Sequence, residues 1–110
     1  MGIPTVGSIV LVRFPHSDLK SYKLRPALVV AHAEFNDLIL CQITSKGYTS
    51  KHAVPLGISD FATGKLPVES FIRPDKIFTA DKGLVTTVLA TVSERIMKAT
   101  KNRLGGIFNI

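Results

Sequence analysis

The chain has 110 residues, 45% of them apolar, and 14 Lys and Arg residues against 8 Asp and Glu give it a net charge of +6. This length predicts one domain, residues 1–110, and the apolar content excludes a disordered, highly charged chain. No apolar run approaches the roughly 20 residues that span a bilayer, and the N-terminus lacks the regions of a signal peptide. A lone cysteine and no Cys/His cluster with zinc spacing predict a reduced, cytoplasmic protein without metal or cofactor.

Most of the predicted elements are β-strands. The β-branched run 8–14 predicts the first strand, and the apolar segment 27–31 predicts a central strand buried on both faces. A third strand is expected at 38–44, with Gln42 and Thr44 on the face opposite Cys41. Segment 52–56 predicts an edge strand because it contains a proline.

The remaining pattern predicts two strand pieces, a last strand and a helix. The pieces cover 69–72 and 76–79, separated by Pro74, and the last strand covers 84–92. Ser93 is a suitable N-cap, and Gly105-Gly106 is the expected stop of the helix. One helix face is apolar and the other is basic, which fits either a nucleic-acid contact or a solvated surface. The sequence therefore predicts a mainly β protein, a small antiparallel barrel with a C-terminal α-helix.

The loop between the first two strands is expected to span 15–24, longer and more polar than a hairpin requires. It leads to Arg25, which Pro26 holds in an extended conformation. Arg25 could bind phosphate oxygens in a bidentate manner, or it could pair with a carboxylate. His16 in this loop is either an acid–base group or an ordinary surface histidine.

Two further motifs are candidates for phosphate chemistry. Thr44, Ser45 and Lys46 combine two hydroxyls with an ammonium in one turn, a possible phosphate cradle or a simple strand cap. Arg73 and Asp75 are two residues apart in an extended segment and so project to one side. They could form an ion pair, or supply a cation for a phosphorane and a proton acceptor. The net positive charge favours an anionic partner such as nucleic acid.

Four sequence blocks, 7–12, 23–30, 41–45 and 70–79, followed by a helix, resemble MazF/PemK-like toxins of type II toxin–antitoxin systems. The resemblance implies an SH3-like barrel that forms a homodimer. It implies a metal-independent, sequence-specific endoribonuclease (an mRNA interferase) that leaves 2′,3′-cyclic phosphate and 5′-OH ends on single-stranded mRNA and inhibits translation and growth. It also implies an acidic antitoxin that occupies the RNA groove, in a complex that can bind operator DNA.

The resemblance also implies the site residues. MazF-like members use a pair that matches Arg25 and Thr44, and PemK-like members use residues that match Arg73 and Asp75 with a loop histidine. His16 lies a few positions from the aligned place of that histidine. The two arginines would stabilise charge, Asp75 would act as the base, and Thr44 would donate a hydrogen bond. The expected RNA-binding residues are His16, Lys20, Lys23, Ser45, Lys46, Ser70 and Lys76.

Two other functions fit the same sequence features. A toxin of this fold can instead poison DNA gyrase, but such relatives carry a Trp near the C-terminus and this chain has no Trp. A non-catalytic SH3-like module that binds nucleic acid would not need Asp75 beside Arg73. Both alternatives predict intact RNA, whereas the endoribonuclease predicts cleaved RNA.

Overall fold

A computed structural model describes residues 2–15, 20–47 and 50–110 as a strongly curved antiparallel sheet with one α-helix among these residues. The elements are β1 (Ser8–Pro15), β2 (Tyr22–His32), β3 (Asp37–Thr44), β4 (Val54–Leu56), β5 (Phe61–Gly64), β6 (Ser70–Asp81), β7 (Val85–Val92) and α1 (Glu94–Phe108). The seven strands pair in the order β4-β6-β3-β2-β1-β7-β5, and the sheet nearly closes into a barrel. The predicted barrel with a C-terminal helix is confirmed.

The three central strands are buried on both faces. Alternate residues enter two separate clusters, as the two-residue period of a strand requires. The first cluster, under α1, includes Ile9, Leu28, Cys41, Ile43, Ile72 and Ile96. The second, on the opposite face, includes Val10, Val12, Ala27, Val29, Leu38 and Leu40. Each large aliphatic side chain buried in this way contributes roughly 1.5–3 kcal/mol. The prediction that segment 27–31 is packed on two sides is confirmed.

Strand β2 begins earlier than expected. It pairs with β1 from Tyr22 opposite Pro15, so that Lys23 and Leu24 lie in the strand and not in the loop. The prediction of a loop over 15–24 is therefore wrong at both ends. The reason is that backbone pairing in β2 begins before its apolar part, where the exposed side chains give no burial signal.

Strand β6 is continuous, which corrects the two pieces predicted on either side of Pro74. Its register with β3 passes from Ile77 opposite Cys41 to Arg73 opposite Gln42. The bulge contains Pro74, Asp75 and Lys76, which have no paired residues on β3. The missing N–H of the proline therefore costs the sheet no hydrogen bond. Pro74 is itself fully buried. A bulge allows the strand to pass through a proline that would otherwise interrupt it.

The short edge elements also differ from the predictions. Strand β4 starts at Val54, two residues after the predicted start, because residues 50–53 form a β-turn closed by Ala53 N–H and the carbonyl of Ser50 at 2.9 Å. It lies at the edge of the sheet, as predicted. Strand β5 was not predicted. It pairs with β7 at the other edge, where Gly64 adopts a φ of +67°.

Helix α1 begins where expected and ends later. The Oγ of Ser93 accepts the N–H of Ile96 at 3.3 Å, which confirms the N-cap. Both glycines of the predicted stop are helical, and the helix ends at Asn109, which has a φ of 60°. Asn tolerates this left-handed conformation, and its N–H bonds to the carbonyls of the glycines. None of the helices in the described ranges has the length and apolar character needed to cross a membrane.

Candidate nucleic-acid interface

A groove of about 780 Å³ runs across the ends of β2, β3 and β6. The predicted catalytic residues that line it are Arg25, Thr44 and Arg73. The predicted RNA-binding residues that line it are Lys23, Ser45, Lys46, Ser70 and Lys76. Lys20 is exposed and is not among the lining residues. His16 lies outside the described residues.

The sheet register explains why these residues meet. Gln42 on β3 is opposite Ala27 on β2 and opposite Arg73 on β6. Directly opposed residues of antiparallel strands project to the same side, with Cβ atoms about 4.5–5.5 Å apart. Thr44 lies on this side too, because it is two residues from Gln42. This is the face of the second cluster, continued beyond Ala27 into solvent with polar side chains.

Arg25 is an exposed cation at one side of the groove. It lies on β2 opposite Val12 of β1. Within the described residues its side chain forms no hydrogen bond and no ion pair, so the carboxylate partner considered above is not found there. The strand pairing fixes the backbone of Arg25, while its guanidinium donors remain available to a ligand.

Arg73 and Asp75 form a bidentate ion pair at the other side. Arg73 Nε donates to Asp75 Oδ1 at 2.9 Å, and Nη2 donates to Oδ2 at 2.7 Å. The hydrogen bond from Arg73 lowers the pKa of Asp75 from 3.8 to about 2. The same hydrogen bond raises the pKa of the Arg73 guanidinium. In this structure the two residues therefore neutralise each other, which is the structural alternative that their spacing allowed.

Ser50 belongs to this group, although the sequence did not single it out. Its hydroxyl donates a hydrogen bond that further lowers the pKa of Asp75, and its Oγ accepts the N–H of His52 at 3.0 Å. Gln42 was also missed as a site residue. Its amide lines the groove and can both donate and accept hydrogen bonds. The shared strand face of Gln42 and Thr44 was the available signal for Gln42, whereas nothing local to Ser50 indicated its contact.

Thr44 combines a structural contact with a free donor. Its Oγ1 accepts the backbone N–H of Lys46 at 3.2 Å, so it does cap the turn after β3. A hydroxyl has two acceptor lone pairs and one proton, so this bond leaves the proton of Thr44 available for donation. The cap and the phosphate contact considered in the sequence are therefore compatible.

Two other features of the described residues bear on chemistry, the buried Cys41 thiol and the search for metal ligands. Burial, and then the charge of Asp75, raise the pKa of the Cys41 thiol to about 12, which leaves it protonated at neutral pH. Cys41 is fully buried in the first cluster, as its alternation with apolar residues indicated. Across residues 2–15, 20–47 and 50–110, no three His, Cys, Asp or Glu residues are placed to hold a metal ion.

The family assignment rests on a match over nearly the whole chain. The model of the PemK-like, MazF-like toxins of type II toxin–antitoxin systems matches residues 5–108. The chain belongs to this family. The match includes every groove residue of this PemK-like toxin named above, so it covers the site as well as the barrel.

Solved structures share the fold of this PemK-like toxin at low sequence identity. A MazE-MazF crystal structure from Deinococcus radiodurans superposes with a TM-score of 0.82 at 20% identity, covering 100% of this chain and 99% of the other. An endoribonuclease in complex with its cognate antitoxin, from Mycobacterial species, gives 0.75 at 21% identity, covering 100% and 97%. MazF from Deinococcus radiodurans gives 0.76 at 22% identity, covering 100% of both chains. No curated protein matches the toxin significantly.

Proposed function

We propose that the chain is the endoribonuclease toxin of a toxin–antitoxin pair and that it cleaves single-stranded mRNA in the groove, inhibiting translation and growth. The observation that carries the proposal is that two arginines and a hydroxyl donor line one basic groove, while the Asp75 carboxylate, which is not itself a lining residue, is paired with one of these arginines. The family membership supports it, because these are toxins of type II toxin–antitoxin systems. Proteins of the same fold include endoribonucleases and MazF proteins.

The proposed reaction is attack of a ribose 2′-OH on the adjacent phosphorus. The 2′-oxygen forms a bond to phosphorus, the bond to the 5′-oxygen breaks, and the products carry a 2′,3′-cyclic phosphate and a 5′-OH. The reaction needs a proton acceptor for the 2′-OH, charge stabilisation for the phosphorane, and a proton for the leaving oxygen. DNA lacks the 2′-OH and is not a substrate on this chemistry.

The arginines supply the positive charge in this scheme. Guanidinium stays protonated at any working pH, so Arg25 and Arg73 stabilise the oxygens of the phosphorane. Thr44 donates its free proton to a phosphate oxygen. Because Arg25 and Arg73 lie on β2 and β6, on either side of β3, a phosphate above Gln42 would be held between them.

Asp75 is the proposed base, and its ion pair with Arg73 limits how readily it accepts a proton. A carboxylate with a pKa of about 2 is always ionised at neutral pH but is a weak proton acceptor. A substrate phosphate competes with Asp75 for the guanidinium of Arg73, since both are oxyanions that accept bidentate hydrogen bonds. As Arg73 turns to the phosphate, the pKa of Asp75 rises and its strength as a base increases. Substrate binding thus activates the base.

The groove composition suits single-stranded RNA. Lys23 and Lys76 lie along the groove with the arginines and offer charge to the phosphates. Leu66, Pro67 and Val68, in the segment before β6, form an apolar wall against which unstacked bases can pack. The RNA-binding roles assigned to Ser45, Lys46 and Ser70 agree with their place in the lining.

The proposed partners follow from the same surface. An acidic antitoxin segment would be attracted to a basic groove and would block it to RNA. The mycobacterial endoribonuclease of this fold is bound to its cognate antitoxin, and MazF is paired with MazE in a crystal structure. We extend this partnership to the present chain, together with a homodimer of the toxin and binding of operator DNA by the toxin–antitoxin complex.

The decisive experiment compares RNA with DNA of the same sequence in the presence of EDTA. We expect the purified chain to cut only RNA and to leave 2′,3′-cyclic phosphate and 5′-OH ends. Cleavage that requires an added divalent ion would contradict metal independence, and 5′-phosphate ends would contradict the 2′-OH mechanism. Intact RNA combined with stalled DNA gyrase would support the gyrase-poisoning toxin. Intact but tightly bound RNA would support the non-catalytic module.

A further inference from the structure

An arginine of the C-terminal helix contacts a turn next to the proposed base. Arg103 is exposed on α1, and its Nη1 donates to the carbonyls of Lys51 and Ala53, at 3.2 Å each. These carbonyls lie about 50 residues earlier in the chain. Two hydrogen bonds from one charged group to backbone carbonyls fix the orientation of the turn relative to the helix.

The turn holds the hydroxyl of Ser50 in a defined position. Ala53 N–H donates to the carbonyl of Ser50 at 2.9 Å, and His52 N–H donates to the Oγ of Ser50 at 3.0 Å. This bond uses an acceptor lone pair of Oγ and leaves the hydroxyl proton of Ser50 available for donation. The hydroxyl of Ser50 lines the same groove as Arg73, the ion-pair partner of Asp75, and it helps to lower the pKa of the Asp75 carboxyl. The contact is possible because β4, directly after the turn, pairs with β6, where Val54 is opposite Ile72.

We propose that Arg103 is a positioning residue for Asp75, acting through the turn at residues 50–53 and the hydroxyl of Ser50. The effect on cleavage rests on the proposed function, whereas the positioning of the carboxylate does not. When Arg73 turns toward a phosphate, Ser50 remains as a fixed contact that keeps Asp75 in place. Removal of Arg103 would loosen this contact without deleting a residue that lines the groove, because Ser50 is among the lining residues and Arg103 is not.

Charge alone would predict a different pattern of effects. Lys101 is an exposed cation on the same helix, two residues from Arg103, and makes none of the hydrogen bonds of Arg103 to the turn. Arg103→Gln and Lys101→Gln remove the same charge from α1, but only the first removes the bonds to the turn. A long-range effect on RNA binding would appear in both variants, mainly in KM.

The test measures the carboxyl titration of Asp75 by NMR and the kinetics of RNA cleavage in the same variants. The side chains that act on the pKa of Asp75 are Arg73 on its own strand and the Ser50 hydroxyl, and the charge of Asp75 in turn acts on the Cys41 thiol on β3. For Arg103→Gln we expect the pKa of Asp75 to rise and kcat to fall about tenfold, with KM changed less than about twofold. Arg103→Lys should recover part of both effects, and Lys101→Gln should match the unmodified protein.

Ser50→Ala provides the second variant and a coupling test. It should raise the pKa of Asp75, and adding Arg103→Gln to Ser50→Ala should then change that pKa no further. If Arg103→Gln leaves both the titration and kcat unchanged, or if Lys101→Gln reproduces its effects, the positioning role is refuted. If the unmodified protein cleaves no RNA while the titration responds as expected, the proposed function fails and the positioning of Asp75 stands.

Discussion

Replacement of Arg25 by alanine should separate catalysis from folding. Arg25 is exposed, and within the described residues its side chain has no hydrogen bond and no ion pair to lose. Its backbone pairing with β1 opposite Val12 does not depend on the side chain. A surface substitution of this kind changes the free energy of unfolding by about 0.5 kcal/mol or less. The variant should therefore retain the melting temperature of the unmodified protein within a few degrees.

The expected effect on cleavage is much larger. A preorganised donor that stabilises a developing oxyanion is worth about 2.7–4 kcal/mol, so its removal slows the chemical step by roughly 10²–10³-fold. Arg25→Lys should fall between the two, because an ammonium keeps the charge but cannot form the bidentate contact. Expression of Arg25→Ala in cells should consequently no longer stop growth.

The assay is single-turnover cleavage of an end-labelled RNA, with thermal unfolding of the same preparations. Lys101→Ala is the matched control, since it removes an exposed cation that does not line the groove. If Arg25→Ala cleaves RNA at a rate within a few-fold of the unmodified protein, Arg25 is not in the catalytic group. A variant that loses activity only together with its melting transition would contradict the claim that the side chain is unconnected to the fold.

Three further predictions concern the ion pair, one glycine and the groove charge. The carboxyl of Asp75 should titrate by NMR at about 2, and at a higher pH toward 3.8 in Arg73→Gln. Because the pKa is lowered on folding, the pair stabilises the protein above pH 4, and urea unfolding should show this contribution disappear as the pH falls toward 2. Gly64→Ala should lower the free energy of unfolding in urea by about 1–3 kcal/mol, because φ is +67° and a Cβ would lie 2.4 Å from the carbonyl oxygen of Leu89; an unchanged value would refute the strain. Lys23→Gln should reduce the slope of log affinity for single-stranded RNA against log salt by about 0.7, measured with a non-cleavable RNA, and an unchanged slope would remove Lys23 from the phosphate contacts.

The sequence predicted those strands in which the pattern of apolar residues follows the burial of the two strand faces. Segment 8–14 is rich in β-branched residues and segment 27–31 is apolar throughout, and the two faces of each strand enter separate cores. Strand β5 lacks such a period, since three of its four residues are exposed and its place is set by pairing with β7. The helix end was misplaced because glycine marks a common stop but is also tolerated in a helix, whereas Asn109 accepts the left-handed conformation.

The site was predictable where residue type and order along the chain were sufficient. Arg73 and Asp75 are close in sequence, so their common side followed from the strand period and the ion pair was a foreseeable outcome. The contact of Ser50 with Asp75 was not foreseeable, because it requires the pairing of β4 with β6 and the turn before β4. Polar residues such as Ser50 occur in most loops, and the residue type alone does not indicate which distant residue they contact.

The bulge in β6 restricts how the length of this strand can change. Ile72 packs in the first core, whereas Ala80, an even number of residues later, packs in the second. In a regular strand the side chains of Ile72 and Ala80 would lie on the same face of the sheet. The bulge contains an odd number of residues and therefore reverses which residues of the strand point to each face. Deletion of one bulged residue would therefore exchange the inward and outward residues of half the strand. Removal of two would preserve the alternation. The packing of the two cores therefore requires an odd number of residues in the segment that carries Asp75.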